Sequence, residues 1–279
     1  MTTHEIELST GPIAYEDTGG DGPVVVLLHG LLMDASLWEA VVTGLRTDHR
    51  CVVPTLPLGA HTLPTADGAD LSPHGLARLV AEFLDRLELT DVTLAGNDTG
   101  GALVQLLTGM DTGRIGRIVL ASCDAFDNFP PGLTGKTLVA TGKLSPTMFG
   151  LFMQQMRLKP VRRLPIAFGW LTRRGDAVTA RWVRPLLSQP EIRRDTVRVL
   201  RGVSAARQVL LEAVEDLRRF DRPALVVWAE KDRVMPPEHG RRLAALLPQG
   251  RLVTVPDSDS LIPLDQPAEF VKAVREFTT

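Results

Sequence analysis

The segment spanning residues 92–107 constrains the fold of this chain more than any other part of the sequence. An apolar run at 92–95 leads into GNDTG at 96–100, and a second apolar stretch with helical spacing follows. This pattern predicts a buried strand, a sharp turn centred on Asp98 and a helix. Glycines are needed beside the central residue, because its backbone is strained in so tight a turn and larger side chains would clash there. The turn therefore presents Asp98 beside a helix N-terminus, which favours negative charge; an Asp that only caps this helix is the alternative.

The order of the remaining segments predicts an α/β fold with a central, mainly parallel sheet. After an opening hairpin, apolar segments of strand length alternate with helical segments on both sides of a long middle section. Such alternation favours right-handed crossovers between parallel strands. The middle section, 126–220, has no strong strand pattern and is expected to form several short helices. We predict a core made of 1–125 and 221–279, a helical cap at 126–220, and a pocket between them at the carboxyl ends of the strands.

Four segments together resemble the aspartate-nucleophile branch of the α/β hydrolases, which contains the haloalkane dehalogenases and epoxide hydrolases. The resemblance covers nearly the whole chain and implies the α/β-hydrolase fold with a helical cap. In that branch an aspartate carboxylate attacks carbon and displaces a halide or opens an epoxide, and a water activated by histidine then hydrolyses the ester. The matching segments are LLHG at 27–30, LAGNDTGG at 94–101, VVWAEKD at 226–232 and IPLDQP at 262–267.

The resemblance assigns roles to individual residues. Asp98 takes the place of the nucleophile, and the backbone N–H groups of Leu31 and Thr99 are expected to form the oxyanion hole. Asp232 follows the strand that carries the acid of the triad, although turns favour Asp for conformational reasons alone. Asp124, at the end of the strand after Asp98, is a second candidate for that acid, or the first residue of the cap loop.

The sequence departs from this family at the catalytic base. The position that aligns with the family's histidine is Ser260, and no His follows His239. Serine has no basic group near neutral pH, so activation of water at this position would be lost.

Three hypotheses remain open for the function. The first is an enzyme that uses Asp98 on a halide, epoxide or related electrophile, with an unusual second step or none. The second is non-hydrolytic acid/base chemistry, such as cyclisation, elimination or isomerisation, between Asp98 and either Asp232 or Asp124. The third is a binding protein that has kept the pocket and lost catalysis.

The pocket is predicted to be apolar, with carboxylates at its floor, and therefore suited to a bulky hydrophobic small molecule. Core or lid packing is the alternative role for each tryptophan, and a structural role is the alternative for the histidine and the cysteine. The candidates for the lining are His29, Trp38, Cys123, Phe126, Met148, Phe149, Phe152, Trp170 and Trp182.

Composition and charge limit the partners that we expect. The 279 residues carry a net charge of −2, which gives no sign of a nucleic-acid partner, and the two cysteines form no disulfide framework or C-x-x-C pattern. No metal or organic cofactor is implied. No signal peptide or spanning segment is apparent, so we expect a cytoplasmic protein without a membrane partner, and we leave a homodimer open. Residues 126–210 hold 15 Lys or Arg against 4 Asp or Glu, which indicates a solvated surface or a cap that attracts an anionic substrate or partner.

Overall fold

The computed structural model describes residues 2–110 and 113–279, and its centre is an eight-stranded sheet. The strands are β1 (Thr2–Leu8), β2 (Gly11–Asp17), β3 (Val24–Leu28), β4 (Arg50–Pro54), β5 (Val92–Asp98), β6 (Ile115–Cys123), β7 (Ala224–Ala229) and β8 (Gly250–Val255). Their order across the sheet is β1-β2-β4-β3-β5-β6-β7-β8. β1 pairs antiparallel with β2, and β2 with β4, whereas the pairs from β4 to β8 are parallel. The predicted mainly parallel sheet is therefore confirmed.

The central strands form where the sequence is continuously apolar. The last four residues of β3 and nearly all of β7 are inaccessible to solvent, as expected for strands that are covered on both faces. Both have the bounds that the sequence predicts. β5 is longer than its predicted run of 92–95, because the ladder with β6 continues to the pair Asp98 and Cys123. The strand therefore carries Asp98 to its last residue.

Helices cover both the sheet and one of its ends. They are α1 (Glu39–Leu45), α2 (Pro73–Arg86), α3 (Thr99–Leu107), α4 (Gly132–Thr141), α5 (Pro146–Met153), α6 (Lys159–Arg162), α7 (Asp176–Trp182), α8 (Arg184–Ser188), α9 (Pro190–Ala205), α10 (Val209–Glu212), α11 (Val214–Arg219), α12 (Pro237–Leu246), α13 (Ile262–Asp265) and α14 (Pro267–Thr278). Short 3₁₀ helices at Ala35–Trp38 and Gln154–Arg157 precede α1 and α6. The short helix α13 is absent from the sequence-based expectation.

The section between β6 and β7, which the structure describes throughout, contains the eight helices α4–α11 and no strand. We call this helical section the cap, and the division of the chain into core and cap domains stays a prediction. Thr134 and Leu138 of α4 line the same cavity as Asp98 and Asp124. The cap therefore lies over the carboxyl ends of β5 and β6.

Buried polar contacts join the cap to the core. The indole N–H of Trp182 donates to Asp34 Oδ1 at 3.0 Å and to Ser36 Oγ at 2.9 Å. The hydroxyl of Thr172 donates to Asp265 Oδ1 at 2.7 Å. Polar groups that are removed from water need such partners. These contacts therefore determine the position of the cap on the core and also stabilise it there.

A further joint is centred on Asp195 of α9, whose side chain is fully buried. Its Oδ2 accepts a hydrogen bond from Thr65 N at 2.8 Å and lies 3.6 Å from His61 Nε2, while Arg198 lies 3.4 Å from Oδ1. Burial by itself would raise the pKa of Asp195, but the His61 and Thr65 partners outweigh it and lower the pKa to about 2. The carboxylate is thus charged and stabilises the docked cap.

In the part of the chain that the structure describes, no helix is long and apolar enough to cross a bilayer. Nor does any group of three or more His, Cys, Asp or Glu side chains within those residues meet in a geometry that would hold a metal ion.

The Asp195→Asn substitution is expected to lower the free energy of unfolding in a pH-dependent way. The folded pKa of about 2 lies below the ordinary value of 3.8. The carboxylate therefore contributes stability that is present above pH 3.8 and is lost as the pH falls through about 2, and its size is about 2 kcal/mol. Urea unfolding of both proteins should show a difference at neutral pH that shrinks in acid. Asp67→Asn is the matched control, because Asp67 is exposed and, among the described residues, forms an ion pair with Arg194 only. A pH-independent difference for Asp195→Asn would contradict the assignment.

Candidate active site

Asp98 occupies a strained turn between β5 and α3. Its backbone angles are φ 55° and ψ −130°, a conformation that residues other than glycine rarely adopt. The flanking glycines allow it. A Cβ on Gly96 would lie 2.4 Å from the backbone of Gly100, and a Cβ on Gly100 would lie 2.3 Å from the carbonyl oxygen of Leu28. The turn has the form that the GNDTG pattern predicts, and it aims the Asp98 side chain at the cap.

One carboxylate oxygen of Asp98 is fixed by backbone N–H groups and the other is not. Oδ1 accepts hydrogen bonds from Thr99 N at 2.7 Å and from Leu31 N at 3.2 Å. Gly30 lets that loop approach, since a Cβ there would lie 2.3 Å from Oδ1. Burial raises the pKa of Asp98, and these hydrogen bonds offset part of the rise. The two N–H groups predicted to form an oxyanion hole thus converge on Oδ1, and no described residue donates to Oδ2.

Thr99 links Asp98 to Asp124. The Thr99 hydroxyl lies 3.1 Å from Asp98 Oδ1 and 3.1 Å from Asp124 Oδ2. A hydroxyl has one proton, so it cannot donate to two carboxylates at once. Asp124 is fully buried, and burial together with the charge of Asp98 raises its pKa well above the ordinary range. We therefore assign the proton to Asp124, which donates to Thr99 Oγ1 while Thr99 donates to the charged Asp98.

Asp232 pairs with Ser260 instead of facing Asp98. The Ser260 hydroxyl donates to Asp232 Oδ1 at 2.7 Å, and the same oxygen accepts from the backbone N–H groups of Val234 and Met235. Burial is the largest influence on Asp232 and raises its pKa to about 6 despite these donors. Of the two candidate acids, Asp124 is the one whose pKa the charge of Asp98 raises. The structure thus brings Ser260 into contact with Asp232, and their roles as the base and acid positions of a triad stay a prediction.

Asn97 is a site residue that the sequence reading missed. Its side-chain amide is fully buried and donates to the carbonyl oxygens of Ser260 and Ala121, each at 2.8 Å. It therefore holds the loop that carries Ser260 against the turn that carries Asp98. The available signal was a polar residue in an otherwise apolar strand, since a buried amide requires partners.

His29 is placed as a structural residue of the loop after β3. Its Nε2 accepts from Leu56 N at 2.9 Å, and its Nδ1 lies 2.9 Å from the carbonyl oxygen of Gly30. The accepting Nε2 requires the proton to be on Nδ1. Complete burial lowers the pKa of His29 to about 4, so the ring is neutral and both nitrogens are occupied. It is not available as a base for Asp98.

The large side chains predicted to line the pocket pack elsewhere in the described chain. Trp38 is fully buried against Phe270, with 5.3 Å between the ring centres, and Trp182 forms the cap joint described above. The ring of Phe126 is covered by the guanidinium of Arg242 at 3.9 Å. Phe149 is fully buried and Trp170 is half-buried against the core. These aromatic residues bury their large apolar surface in the core and lid, and a buried indole N–H seeks an acceptor there.

Cys123 also lies outside the cavity at Asp98. Its side chain packs against Gly101, where a Cβ would approach to 2.3 Å, and its Sγ lies 3.6 Å from Gln105 Nε2. Burial raises the pKa of the thiol well above the ordinary value. A thiol of this kind is not a nucleophile near neutral pH.

The lining of the cavity at Asp98 comes mainly from smaller cap residues. This cavity has a volume of about 40 Å³. It shares Leu31, Thr134, Leu138 and Leu171 with a neighbouring apolar cavity of about 120 Å³, whose outer part is lined by Phe152. The cap residues at Asp98 are Phe129, Pro130, Pro131, Thr134, Gly135, Leu138, Val139, Leu171 and Val203. The spacing of Thr134 and Leu138 along one face of α4 was the sequence signal for this wall, and Thr141 on the same face lines the neighbouring cavity.

Comparisons with known proteins show the family and the fold of this chain. A sequence profile described as "Alpha/beta hydrolase family" matches residues 25–273. The chain is 28% identical over 274 residues to haloalkane dehalogenase 2 of Mycobacterium tuberculosis, covering 96% of this chain and 92% of that protein. It is 26% identical over 282 residues to a cis-3-alkyl-4-alkyloxetan-2-one decarboxylase of Xanthomonas campestris pv. campestris, covering 95% and 91%. The crystal structure of DBJA superposes with a TM-score of 0.80 over 100% of this chain and 98% of that one, at 18% identity, and shows the shared fold.

The environment of Asp232 leads to a titration experiment. In NMR spectra of protein with ¹³C-labelled aspartate carboxyl groups, the Asp232 signal should titrate with a midpoint of about 6. Ser260→Ala should raise that midpoint, because the charged carboxylate loses a hydrogen-bond donor. Asp232→Asn identifies the signal. Ser258→Ala is the matched control, since Ser258 is equally buried but donates to the carbonyl oxygen of Asp259. A wild-type midpoint near the ordinary value of 3.8 would show that the carboxyl is not desolvated.

Proposed function

Since the chain belongs to the alpha/beta hydrolase family, we propose that it is an enzyme in which Asp98 forms an ester with an electrophilic carbon of a hydrophobic small molecule. The observation that carries the proposal is the asymmetry of the Asp98 carboxylate. Oδ1 is held by two backbone N–H groups, while Oδ2 receives no hydrogen bond from the described residues. A carboxylate oxygen that is held in position and receives no hydrogen bond from the protein is a prepared nucleophile.

The first step follows from this arrangement. Oδ2 attacks carbon, the new C–O bond forms, and the bond from that carbon to the leaving group breaks. The leaving group departs as halide, or stays attached as the alkoxide of an opened epoxide. Asp124 would supply the proton that neutralises such an alkoxide. The Oδ1 atom of Asp124 has no hydrogen-bond partner among the described residues, and Asp124 lines the same cavity as Asp98. Apolar walls around Asp98 favour a hydrophobic substrate.

The second step cannot use the family's base at position 260. The Ser260 hydroxyl donates to Asp232 and has no capacity to take a proton from water near neutral pH. An ester on Asp98 is therefore expected to persist unless the bond between the substrate carbon and Oδ2 can break in a step that consumes no water. This condition narrows the class of substrate.

Oxetan-2-ones meet that condition, and the Xanthomonas relative is named for decarboxylating them. Attack of Oδ2 on ring carbon C4 breaks the C4–O bond and releases a carboxylate on the neighbouring carbon. Loss of CO₂ then supplies the electron pair for a C=C bond as the bond from C4 to Oδ2 breaks. The products are an alkene and CO₂, Asp98 is regenerated, and neither water nor a base is used. This substrate class fits a site with serine at position 260.

Acid/base chemistry is the second candidate, and the state of Asp124 favours it. A neutral carboxyl next to a charged one, with Thr99 between them, is a donor–acceptor pair for elimination or isomerisation. It differs from the first proposal because no covalent bond to Asp98 forms.

Intact-mass spectrometry separates these candidates. After incubation with alkyl halides and epoxides, the protein should gain the mass of one alkyl or hydroxyalkyl group and keep it, because no base at position 260 activates water. Asp98→Asn should lose the gain, and Asp124→Asn should keep the gain from halides, which need no proton. With 3,4-dialkyloxetan-2-ones, CO₂ release should depend on Asp98. An adduct that survives in Asp98→Asn, or no adduct and no CO₂ with any reagent, would refute covalent catalysis by Asp98.

Ser260→His should restore hydrolysis of the adduct. An imidazole at this position would lie between the Asp232 carboxylate and the pocket and would supply the missing base. Reaction with an alkyl halide in ¹⁸O-labelled water should then turn over repeatedly and place label in the alcohol or in Asp98. Ser258→His is the control, because that side chain is directed at Asp259. A persistent adduct in Ser260→His would show that position 260 does not address the ester.

A further inference from the structure

Exposed apolar side chains are concentrated on one part of the cap. Of the nine exposed large hydrophobic residues within the described chain, seven lie between residues 133 and 166, and the other two are Leu211 and Leu252. Isolated exposed leucines are normal, but a concentration of this kind marks an interaction surface. We call six of these residues the cap patch: Met148, Leu151, Phe152, Leu158, Leu164 and Ile166.

The cap patch is continuous with a cavity. Met148, Leu151 and Phe152 are three and four residues apart and therefore share one face of α5. Phe152, Leu164 and Ile166 all line the apolar cavity of about 120 Å³. These three exposed residues thus form an apolar rim of this cavity, which shares Leu31 and Leu171 with the smaller cavity at Asp98.

The charge of the same region is of one sign. Residues 128–175 contain eight Lys or Arg and no Asp or Glu, so with a total net charge of −2 the rest of the chain carries −10. Lys136, Lys143 and Arg157 are exposed and form no ion pair with a described residue, whereas Lys159 and Arg163 are paired with Asp176. The segment that contains the cap patch therefore combines exposed apolar side chains with exposed cations that have no ion-pair partner among the described residues.

We propose that the cap patch docks on the surface of an anionic lipid bilayer. Apolar side chains that enter the interfacial layer, with cations beside them that meet lipid phosphates, are the two contributions that hold a protein at such a surface. A second copy of this chain is disfavoured as the occupant, because a two-fold contact would bring one basic segment against another. The sequence-based expectation of no membrane partner rested on the lack of a membrane-spanning segment. Docking on the surface of a bilayer requires no such segment.

Docking would give the opening a direct role. An apolar molecule dissolved in the bilayer could pass from the lipid into the cavity between Phe152 and Ile166 without crossing water. This consequence rests on the function proposed above, but the docking itself does not. An Asp98→Asn variant should bind vesicles as the wild type does, so failure of one proposal leaves the other intact.

Vesicle co-sedimentation tests the docking. The full-length protein should sediment with vesicles of phosphatidylcholine mixed with phosphatidylglycerol, and much less with vesicles of phosphatidylcholine alone. Added salt should weaken the binding, because part of it is electrostatic. The absence of sedimentation with the anionic vesicles at low salt, or equal binding to both kinds, would overturn the proposal.

A matched pair of variants tests the apolar contribution. Leu151→Glu with Leu158→Glu should weaken binding by about tenfold or more, since it removes inserted side chains and adds repelled charges. Leu211→Glu with Leu252→Glu adds the same charges outside the patch and should change binding much less. Both positions in the first variant are more than half exposed, so its circular dichroism spectrum should match that of the wild type. Equal loss in both variants would mean that the cap patch is not the docking surface.

A second matched pair tests the cations. Replacing the three unpaired cap cations with glutamine should weaken binding to anionic vesicles by about tenfold and flatten its salt dependence. Replacing three exposed, unpaired cations outside the cap should have a smaller effect. The cap cations are Lys136, Lys143 and Arg157. The control cations are Arg46, Lys231 and Lys272.

Gel filtration tests the alternative that the cap patch contacts a second copy of this chain. A wild-type dimer that becomes monomeric in Leu151→Glu with Leu158→Glu, without vesicle binding by the wild type, would show that the patch is an interface between copies and would overturn the proposal.

Discussion

The site depends on the strained backbone of Asp98. A side chain other than glycine in that conformation costs about 1–3 kcal/mol, which must be offset by the surrounding structure. The parallel ladder with β6 extends to Asp98, and α3 begins at the next residue. Two N–H groups from separate segments then bind one carboxylate oxygen. Since the glycines on either side touch backbone where a Cβ would be, the strand, the turn and the helix can meet only in this way, and the orientation of Asp98 follows from them.

The electrostatics of the pocket follow from three buried aspartates without a neighbouring cation. Among the described ion pairs, none joins a Lys, Arg or His to Asp98, Asp124 or Asp232, and burial raises the pKa of all three. The Thr99 hydroxyl lies between Asp98 and Asp124, and the hydroxyls of Ser260 and Ser122 interact with Asp232. A histidine at position 260 would be able to share its charge with Asp232, whereas serine only donates. Because Asp98 is charged and no described cation lies beside it, the pocket favours a neutral substrate over an anionic one.

The features predicted from sequence are those that local chemistry determines. Continuous apolar runs gave the bounds of β3 and β7, and the paired glycines gave the turn at Asp98. The lining of the pocket could not be obtained in this way. Trp182 and Thr134 both lie on cap helices, and only the packed fold decides that the indole is used in a joint while the threonine faces Asp98. Asn97 was missed because its role is a contact with Ser260, which is distant in sequence and close only in the fold.

The shapes of the two cavities restrict the substrate further. A space of about 40 Å³ at Asp98 holds only a few water-sized groups, so the reacting end of the substrate must be compact. The neighbouring space of about 120 Å³ is apolar and leads outward to Phe152, Leu164 and Ile166. A molecule that fits both has a small electrophilic group at one end or within a short segment, and an alkyl chain that follows the cavity to the cap surface. Because such a chain is poorly soluble in water, the apolar rim of the larger cavity and the buried pocket at Asp98 meet the needs of the same kind of substrate.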